Sequence, residues 1–436
     1  MKKQIAAELI SIVGTENVTR DQHDLSTYFQ GPVPAIPLLA VYPREPEQVS
    51  ELIRYASKES VSVFTLKDAC FSVPLPDSGG IILDFRHMTA IERVDTRNLT
   101  LHIQRGVTWD HLGQELARHG VKTLLPAAAT SPYVLDAMVC RVIMRSAARY
   151  PEVQVANLKV VLADGRVHLT GSHALSEDGC DSKDDGGPNI SRWYIGAEDM
   201  YGIPVRASIW MYPVPQAEEF MFFGFDALAP ALTAIRDIPR KEVCDQALVM
   251  NGHYLAMLTR DTATNLPPWL VILGCEGNAR HVGFRAGVCR HDAAALGGKE
   301  LPAMNEHLAA VLHRAWYRPP HSHGFYTFIS RVQEFRDAVG SHVHGPMAEL
   351  FVSHGYGRAA WCEFDHIEPY PTGLTKIFDK VNDLLVERGA YFDRPLGTLA
   401  EKFYAGNPSY LNQIKLVKKI VDPQRILNPD QLLRGV

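Results

Sequence analysis

By type and spacing, two groups of residues in this 436-residue sequence are equipped for chemistry: paired histidines, and a charged loop held between two apolar runs. His321-x-His323 and His342-x-His344, with His354 and His366 nearby, have the alternation that brings two imidazoles to one metal ion. The chain holds 18 histidines, and no carboxylate stands at a recognisable ligand spacing from these, so the pattern predicts no metal site. The loop runs Lys67-Asp68-Ala69-Cys70-Phe71-Ser72-Val73-Pro74-Leu75 and meets no glycine before Gly79. A strand-to-strand turn that cradles a pyrophosphate is ordinarily glycine-rich, because backbone N–H groups must approach the anion through positive φ angles. Here side chains stand in the way. A third stretch, SEDGCDSKDDGGP over residues 176 to 188, is acidic, but its spacing fits no calcium loop and predicts a solvated, mobile surface excursion.

The elements that must position these groups are legible from periodicity. Residues 3 to 13 read as an amphipathic helix, and 37 to 42 as a strand. Pro46 starts a helix that buries Val49, Leu52, Ile53 and Ala56. Apolar runs at 61 to 66 and 80 to 85 flank the loop, and strands follow at 91 to 94 and 99 to 104. Thr108 caps a helix from Trp109 to Arg118, with Gly120 beyond its end. Asp164-Gly165 turns a hairpin between 158 to 162 and 166 to 170, and 205 to 212 is a strand. After Pro213 to Gln216, longer helices alternate with strands, which places a second domain from 216 to about 395. It includes a helix at 374 to 388 stopped by Gly389. The last helix is read as capped by Ser409 and stopped before Pro423.

Composition sets the class. Hydrophobic residues make up 46% of the chain and charged residues 21%, which is ordinary globular content and enough for two cores. A net charge of −5 gives no electrostatic reason to expect nucleic acid or an anionic membrane as partner. Seven cysteines without a C-x-x-C pair suggest neither a disulfide framework nor a structural zinc site, and a reducing cytoplasm fits. The N-terminus has a basic start, but Glu8 interrupts its short apolar segment, and no run approaches the length of a membrane helix.

A resemblance emerges from the order of several segments: PREPEQVSELIRYA, SGGIILDFRHM, IERVD, RGVTWDHLGQEL, VVLADGRVHLTG, SIWMYPVP and VDPQRILNPDQLL. In that order they resemble the vanillyl-alcohol oxidase and p-cresol methylhydroxylase (PCMH) family of FAD-dependent oxidoreductases. EDMYGIPVRASIWMYPVP, and GRAAWCEFDHIEPYP followed by AYFDR, resemble its phenol-oxidising branch. The resemblance implies an α+β fold: a PCMH-type FAD-binding domain built from both chain ends (1–215 and 396–436), and an α/β cap (216–395) that covers the flavin and mediates dimerisation. It also implies that Lys67, Asp68, Ser131, Gly202 and Ile203 occupy positions of the flavin site. The family's phenolate-binding tyrosine and arginine fall at Tyr391-Phe392, with Arg394 as a stand-in, so Tyr391 and Arg394 are the catalytic candidates.

The departures fall where the family touches its cofactor. The pyrophosphate loop reads TLKDACFSVPLP, and the second flavin-lining stretch, 126 to 156, contains no glycine. The histidine that anchors flavin covalently in some relatives falls near Arg358 or Ala359. Three lost anion contacts would cost roughly 3 to 9 kcal/mol, or about two to six powers of ten in dissociation constant. Two functions follow. The favoured one is a non-flavin or weakly flavin-binding subunit partnered with a flavin-bearing paralogue or with itself. The alternative is an active FAD oxidase or dehydrogenase of a 4-substituted phenol, in which Trp316, Tyr317, Phe325, Tyr326 and Phe328 line a pocket for a small aromatic molecule. A flavin-independent enzyme in the same pocket is a third, weaker reading.

Overall fold

The computed structural model describes residues 2–29, 38–66, 79–147, 154–176, 179–182, 186–260, 266–319, 321–343, 345–367, 374–430 and 432. Lys67 and Asp68 lie outside these described residues. Three larger sheets, beside a two-stranded one of Val121–Lys122 with Tyr212–Pro213, organise the rest. The first has the order Val18–Thr19, Leu38–Val41, Gly80–Leu83, Val63–Thr65, and its last three strands pair in parallel. Parallel pairing needs crossovers, and Pro46–Glu59 supplies one. The Gln48 side chain accepts the N–H groups of Arg44 and Glu45 at the start of this helix, and Val49, Leu52, Ile53 and Ala56 are buried beneath it. Each fully buried side chain of that size contributes about 1.5 to 3 kcal/mol.

The chain's other end completes this sheet. Val63 donates its N–H to the carbonyl of Ile426 at 2.7 Å, and Asn428 donates to the carbonyl of Val63 at 2.8 Å. Leading to that contact are the helices Gly397–Ala405 and Pro408–Val421. The cap of the second is Asn407, whose side chain accepts from the N–H of Tyr410 at 3.1 Å. Ser409 was the expected cap; Pro408 occupies the first helical position, where its missing N–H costs nothing, and this moves the cap to Asn407.

An antiparallel five-stranded sheet follows, in the order Ile91–Asp95, Thr100–Gln104, Ile203–Trp210, Val155–Val161, Val167–Leu169. The Asp164-Gly165 turn behaves as read: Gly165 has φ 78°, and a Cβ there would meet the Ser50 carbonyl oxygen at 2.7 Å. Of the acidic segment, Ser176, Cys180 and Gly186 to Pro188 are exposed as read, but Asp181 departs from that reading. Asp181 is tucked against this sheet with its side chain 6% exposed, because two histidines and Asn157 supply polar partners that a solvated excursion would lack.

Seven antiparallel strands form the third sheet, ordered Lys299–Glu300, Ala217–Phe225, Trp269–Gly277, Gln246–Asn251, Met347–His354, Ala359–His366, Ser322–Phe328. Met221, Phe223, Val249, Val271, Phe325, Phe351, Cys362 and Phe364 pack on one face against Leu228–Arg240, Ala279–Ala295, Val332–Gly340 and Leu374–Glu387. The opposite face, with Phe222, Leu248, Met250, Ile272, Leu350, Val352 and Trp361, packs on Ala127, Ala128, Ile143, Trp316 and the helix Gly252–Thr259. Sheet side chains alternate between faces, so this inner face is where buried polar residues of the same strands must meet the first half of the chain.

Candidate functional site

Glu198 and Asp199 form a turn that ties the layers together. Both are non-glycine residues in the left-handed region, at φ 49° and 57°. Such a conformation costs of order 1 to 3 kcal/mol per residue and persists only where partners overdetermine it. The partners are two arginines. Arg394 grips Glu198 with both ends of its fork, Nε to Oε1 at 2.6 Å and Nη2 to Oε2 at 2.9 Å, and donates to Thr130 Oγ1 at 3.2 Å. Arg105, fully buried, reaches Asp199 at 2.6 Å and Asp136 at 2.7 Å, with its guanidinium 4.1 Å from the Phe85 ring centroid. Burial works against its charge, and the two carboxylates outweigh that and hold it above the usual arginine range.

The node extends to both chain ends. Thr65 donates to Asp199 at 2.7 Å, and Asn428 donates to Thr65 Oγ1 at 2.7 Å and to the Glu198 carbonyl at 2.6 Å. Ser131 lies 3.4 Å from Asp136 and accepts the Tyr133 N–H at 3.1 Å. Gly202 is pressed against Val160, whose methyl would meet an added Cβ at 2.7 Å, and Ile203 is buried opposite Val161. Thus Ser131, Gly202 and Ile203 stand around one node, and each is engaged with protein. The residues that organise it, Arg105, Asp136, Glu198 and Asp199, did not figure among the candidates, although Glu198 and Asp199 open the quoted EDMYGIPV segment. Their signal is the combination of buried partners and left-handed φ, which only three dimensions display.

Tyr391 and Arg394 take different places. Tyr391 is half exposed, exchanges backbone hydrogen bonds with Tyr326 at 2.7 and 3.0 Å, and lies 6.0 Å from the Phe403 ring. Arg394 is committed to Glu198. Of the histidines, His323 and His366 meet at 3.2 Å on the helix-covered face, where His323 contacts Asn382 at 2.9 Å and stacks on Phe378. Burial pushes His323 down to about 3 and His354 to about 4, so neither is charged near neutrality. His354 lies beside Tyr326, while His342 follows Val332–Gly340 and contacts Ser341; His344 is outside the described residues.

Polar groups also collect at the inner face of the seven-stranded sheet. Glu363 and Asp365 point there beside Trp361, whose indole N–H donates to Glu363 at 3.2 Å. Both carboxyls are fully buried, and burial raises both above the ordinary range, Asp365 well above it. Arg318 is the cation beside them, but its donors at 2.8 Å go to the Ser322 hydroxyl and carbonyl. Partly buried Asp393 is pushed up to about 7. Arg145, buried on the Trp316 ring at 4.5 Å, donates Nη2 to the Arg314 carbonyl at 2.7 Å, while its Nε and Nη1 have no hydrogen-bond partner among the described residues. Burial pushes it down to about 9. Perturbed, under-compensated groups of this kind mark functional surfaces more often than chance would place them there.

Residues 37–171 match the model of the FAD binding domain family. The whole chain superposes on p-cresol methylhydroxylase with substrate bound, with a TM-score of 0.82 over 99% of this chain and 97% of that one at 14% identity. The chain has the PCMH-type fold, and its residues 37–171 match an FAD binding domain. Among curated sequences, it is 24% identical over 248 residues to the glycolate oxidase subunit GlcD of Bacillus subtilis, covering 54% of this chain and 50% of that protein. It is 27% identical over 270 residues to the mitochondrial cytochrome-linked D-lactate dehydrogenase of Arabidopsis thaliana, covering 57% and 46%. The chain thus spans about half the length of these two relatives.

In this PCMH-type fold the family cofactor is FAD. The pyrophosphate loop read at 67 to 75 lies outside the described residues. Along the second flavin-lining stretch, Ala127 to Ala129 and Val134 to Cys140 are closed to solvent, and only Thr130, Pro132, Tyr133 and Arg141 retain appreciable exposed surface between 126 and 147. No helix of the described residues is long and apolar enough to cross a membrane.

Proposed function

We propose that this chain is a PCMH-type subunit of an FAD-dependent oxidoreductase that binds flavin weakly or not at all and pairs, as a dimer or larger assembly, with a flavin-bearing relative or with itself. In this reading residues 1–215 and 396–436 are the FAD-binding-type domain and 216–395 the cap. The observation that carries it is the closure of the stretch from 127 to 140, where Arg105, Asp136 and Ser131 spend on one another the polar groups a cofactor would need. A ligand entering there must displace buried side chains and break charge-assisted hydrogen bonds. The test is the visible spectrum of purified protein after incubation with excess FAD and gel filtration. Protein without a flavin band, together with raised activity of a co-expressed flavin-bearing relative, is the expected outcome. A flavin band near unit occupancy would overturn it.

The second reading, an active FAD oxidase of a 4-substituted phenol, draws support from the inner face of the seven-stranded sheet. A neutral phenol is compatible with the buried carboxyls Glu363 and Asp365, whose raised proton affinity reflects surroundings that disfavour charge, whereas a hydroxy acid would bring its own carboxylate into the same low-dielectric face. Reduction of bound flavin by a phenol, and not by a 2-hydroxy acid, would favour this reading.

A further inference from the structure

On the five-stranded sheet, away from the clusters above, three ligand-type side chains converge: His102, His173 and Asp181, with one nitrogen or oxygen from each lying within 4.8 Å of the others. His102 comes from the strand Thr100–Gln104, His173 from the short 3-10 turn Gly171–Ala174, and Asp181 from the acidic excursion. All three side chains are 10% exposed or less. The sheet register sets Ser208 opposite both His102 and Asn157, so this corner rests on three adjacent strands.

We propose that His102, His173 and Asp181 bind a divalent transition-metal ion of the zinc class, which fastens the Gly171–Ala174 turn and Asp181 to the sheet. The distances fit. Asp181 Oδ1 lies 3.1 Å from His102 Nε2 and 3.0 Å from His173 Nε2. Around a metal with bonds of about 2.0 to 2.1 Å, neighbouring ligand atoms are roughly 3.0 to 3.4 Å apart. Asn157 Nδ2 donates to the same oxygen at 3.1 Å. Without a metal, three nitrogens crowd this one carboxylate, His102 Nε2 lying 3.1 Å from Oδ2 as well as from Oδ1. A cation bound by both imidazoles and the carboxylate relieves this crowding and leaves Asn157 as the outer partner that orients Asp181.

The backbone is arranged to hold the aspartate. Trp210 donates its indole N–H to the Asp181 carbonyl at 3.1 Å, and Ser172 donates to the carbonyl of Cys180. Two imidazoles and one carboxylate suit Zn²⁺ and its neighbours better than Ca²⁺ or Mg²⁺, which favour all-oxygen sets. Water completes the coordination sphere.

The experiment uses untagged full-length protein, stripped with EDTA and titrated with Zn²⁺ in a calorimeter and with Co²⁺ by visible absorption. One tight equivalent of Zn²⁺ is expected, which displaces the Co²⁺ bands. His102→Gln removes that equivalent, and Asn157→Ala weakens it about 10- to 100-fold. Absence of a tight equivalent in the unaltered protein, or its persistence in His102→Gln, overturns the proposal. Should His102→Gln fail to fold, NMR of Co²⁺-loaded unaltered protein decides: paramagnetically shifted ring protons from His102 and His173 support the site, and their absence overturns it.

Discussion

Around Arg105 two carboxylates meet one guanidinium at 2.7 and 2.6 Å, and further donors from Ser131, Thr65 and the chain's C-terminal end close the network. At the inner face of the seven-stranded sheet, Glu363 and Asp365 are equally buried, yet the donors of nearby Arg318 go to Ser322, and Arg145 is left with two nitrogens unpartnered among the described residues. The same kinds of group are thus used in opposite ways. Close, aligned pairing holds the charge on Arg105 and makes the first set a clamp between residues 65, 105, 136, 199 and 428. Burial without a close cation raises the second set's carboxyls above their ordinary range, which leaves their polar atoms for a ligand. A buried charge with its partner is structure; a buried acid without one is held in reserve.

The comparison breaks most readily at Arg105. Replacing it with methionine leaves Asp136 and Asp199 buried around an apolar side chain, and the loss should be about 3 to 5 kcal/mol, as for other broken buried pairs. Urea denaturation measures it. A loss under 1 kcal/mol would mean that water reaches the node and that it is no clamp.

Next in size is a pH effect at the inner face. Burial raises Glu363 and Asp365 above their unfolded values, so the folded state holds protons that the unfolded state releases. Stability is therefore fully present below the ordinary carboxylate range, and it falls as pH rises from about 4 toward the raised folded values. Each such group gives a slope of up to about 1.4 kcal/mol per pH unit. Asp365→Asn removes one of them, so its stability between pH 5 and 8 should fall less steeply than that of the unaltered protein. Parallel profiles would show that the acid pair is ionised when folded, and would make this face resemble the Arg105 node.

The two regions also differ in how far sequence reveals them. Helix and turn signals located part of the frame: Pro46–Glu59 with its buried stripe, Trp109–Arg118 capped by Thr108 and the Asp164-Gly165 turn all appear where the pattern puts them. Periodicity says nothing of which charges meet. Arg105 and Asp199 are 94 residues apart and Arg394 and Glu198 are 196 apart, so their pairing is a property of topology. Glu363 and Asp365 alternate with Cys362 and Phe364 along one strand, which reads as an amphipathic edge; the face they point to is buried because Ala127, Ile143 and Trp316 cover it. The quoted strand Val205 to Tyr212 was legible, but Ala217–Phe225 and Ser322–Phe328 were not, since aromatic runs packed on both faces lose the two-residue alternation.

The smallest effect tests the link between the regions, Arg394 with Glu198. The pair joins the segment that follows the seven-stranded layer to the strained turn beside Arg105, and its geometry is a planar fork on a carboxylate at 2.6 and 2.9 Å. Arg394→Lys keeps the charge but forfeits the second parallel hydrogen bond and the contact with Thr130, so the expected cost is about 1 kcal/mol. Arg394→Leu also leaves Glu198 buried without its cation and should cost more. If Arg394 served instead as a substrate-binding cation, the lysine variant would leave urea stability unchanged while weakening ligand binding. If it is a strut, stability falls in the order arginine, lysine, leucine, and the fall is smaller in a Glu198→Gln background, because the partner charge is already gone. That double-mutant cycle separates the two roles: a coupling near zero discards the strut, and a coupling of about 1 kcal/mol or more makes the Glu198 turn the hinge on which the layers are held.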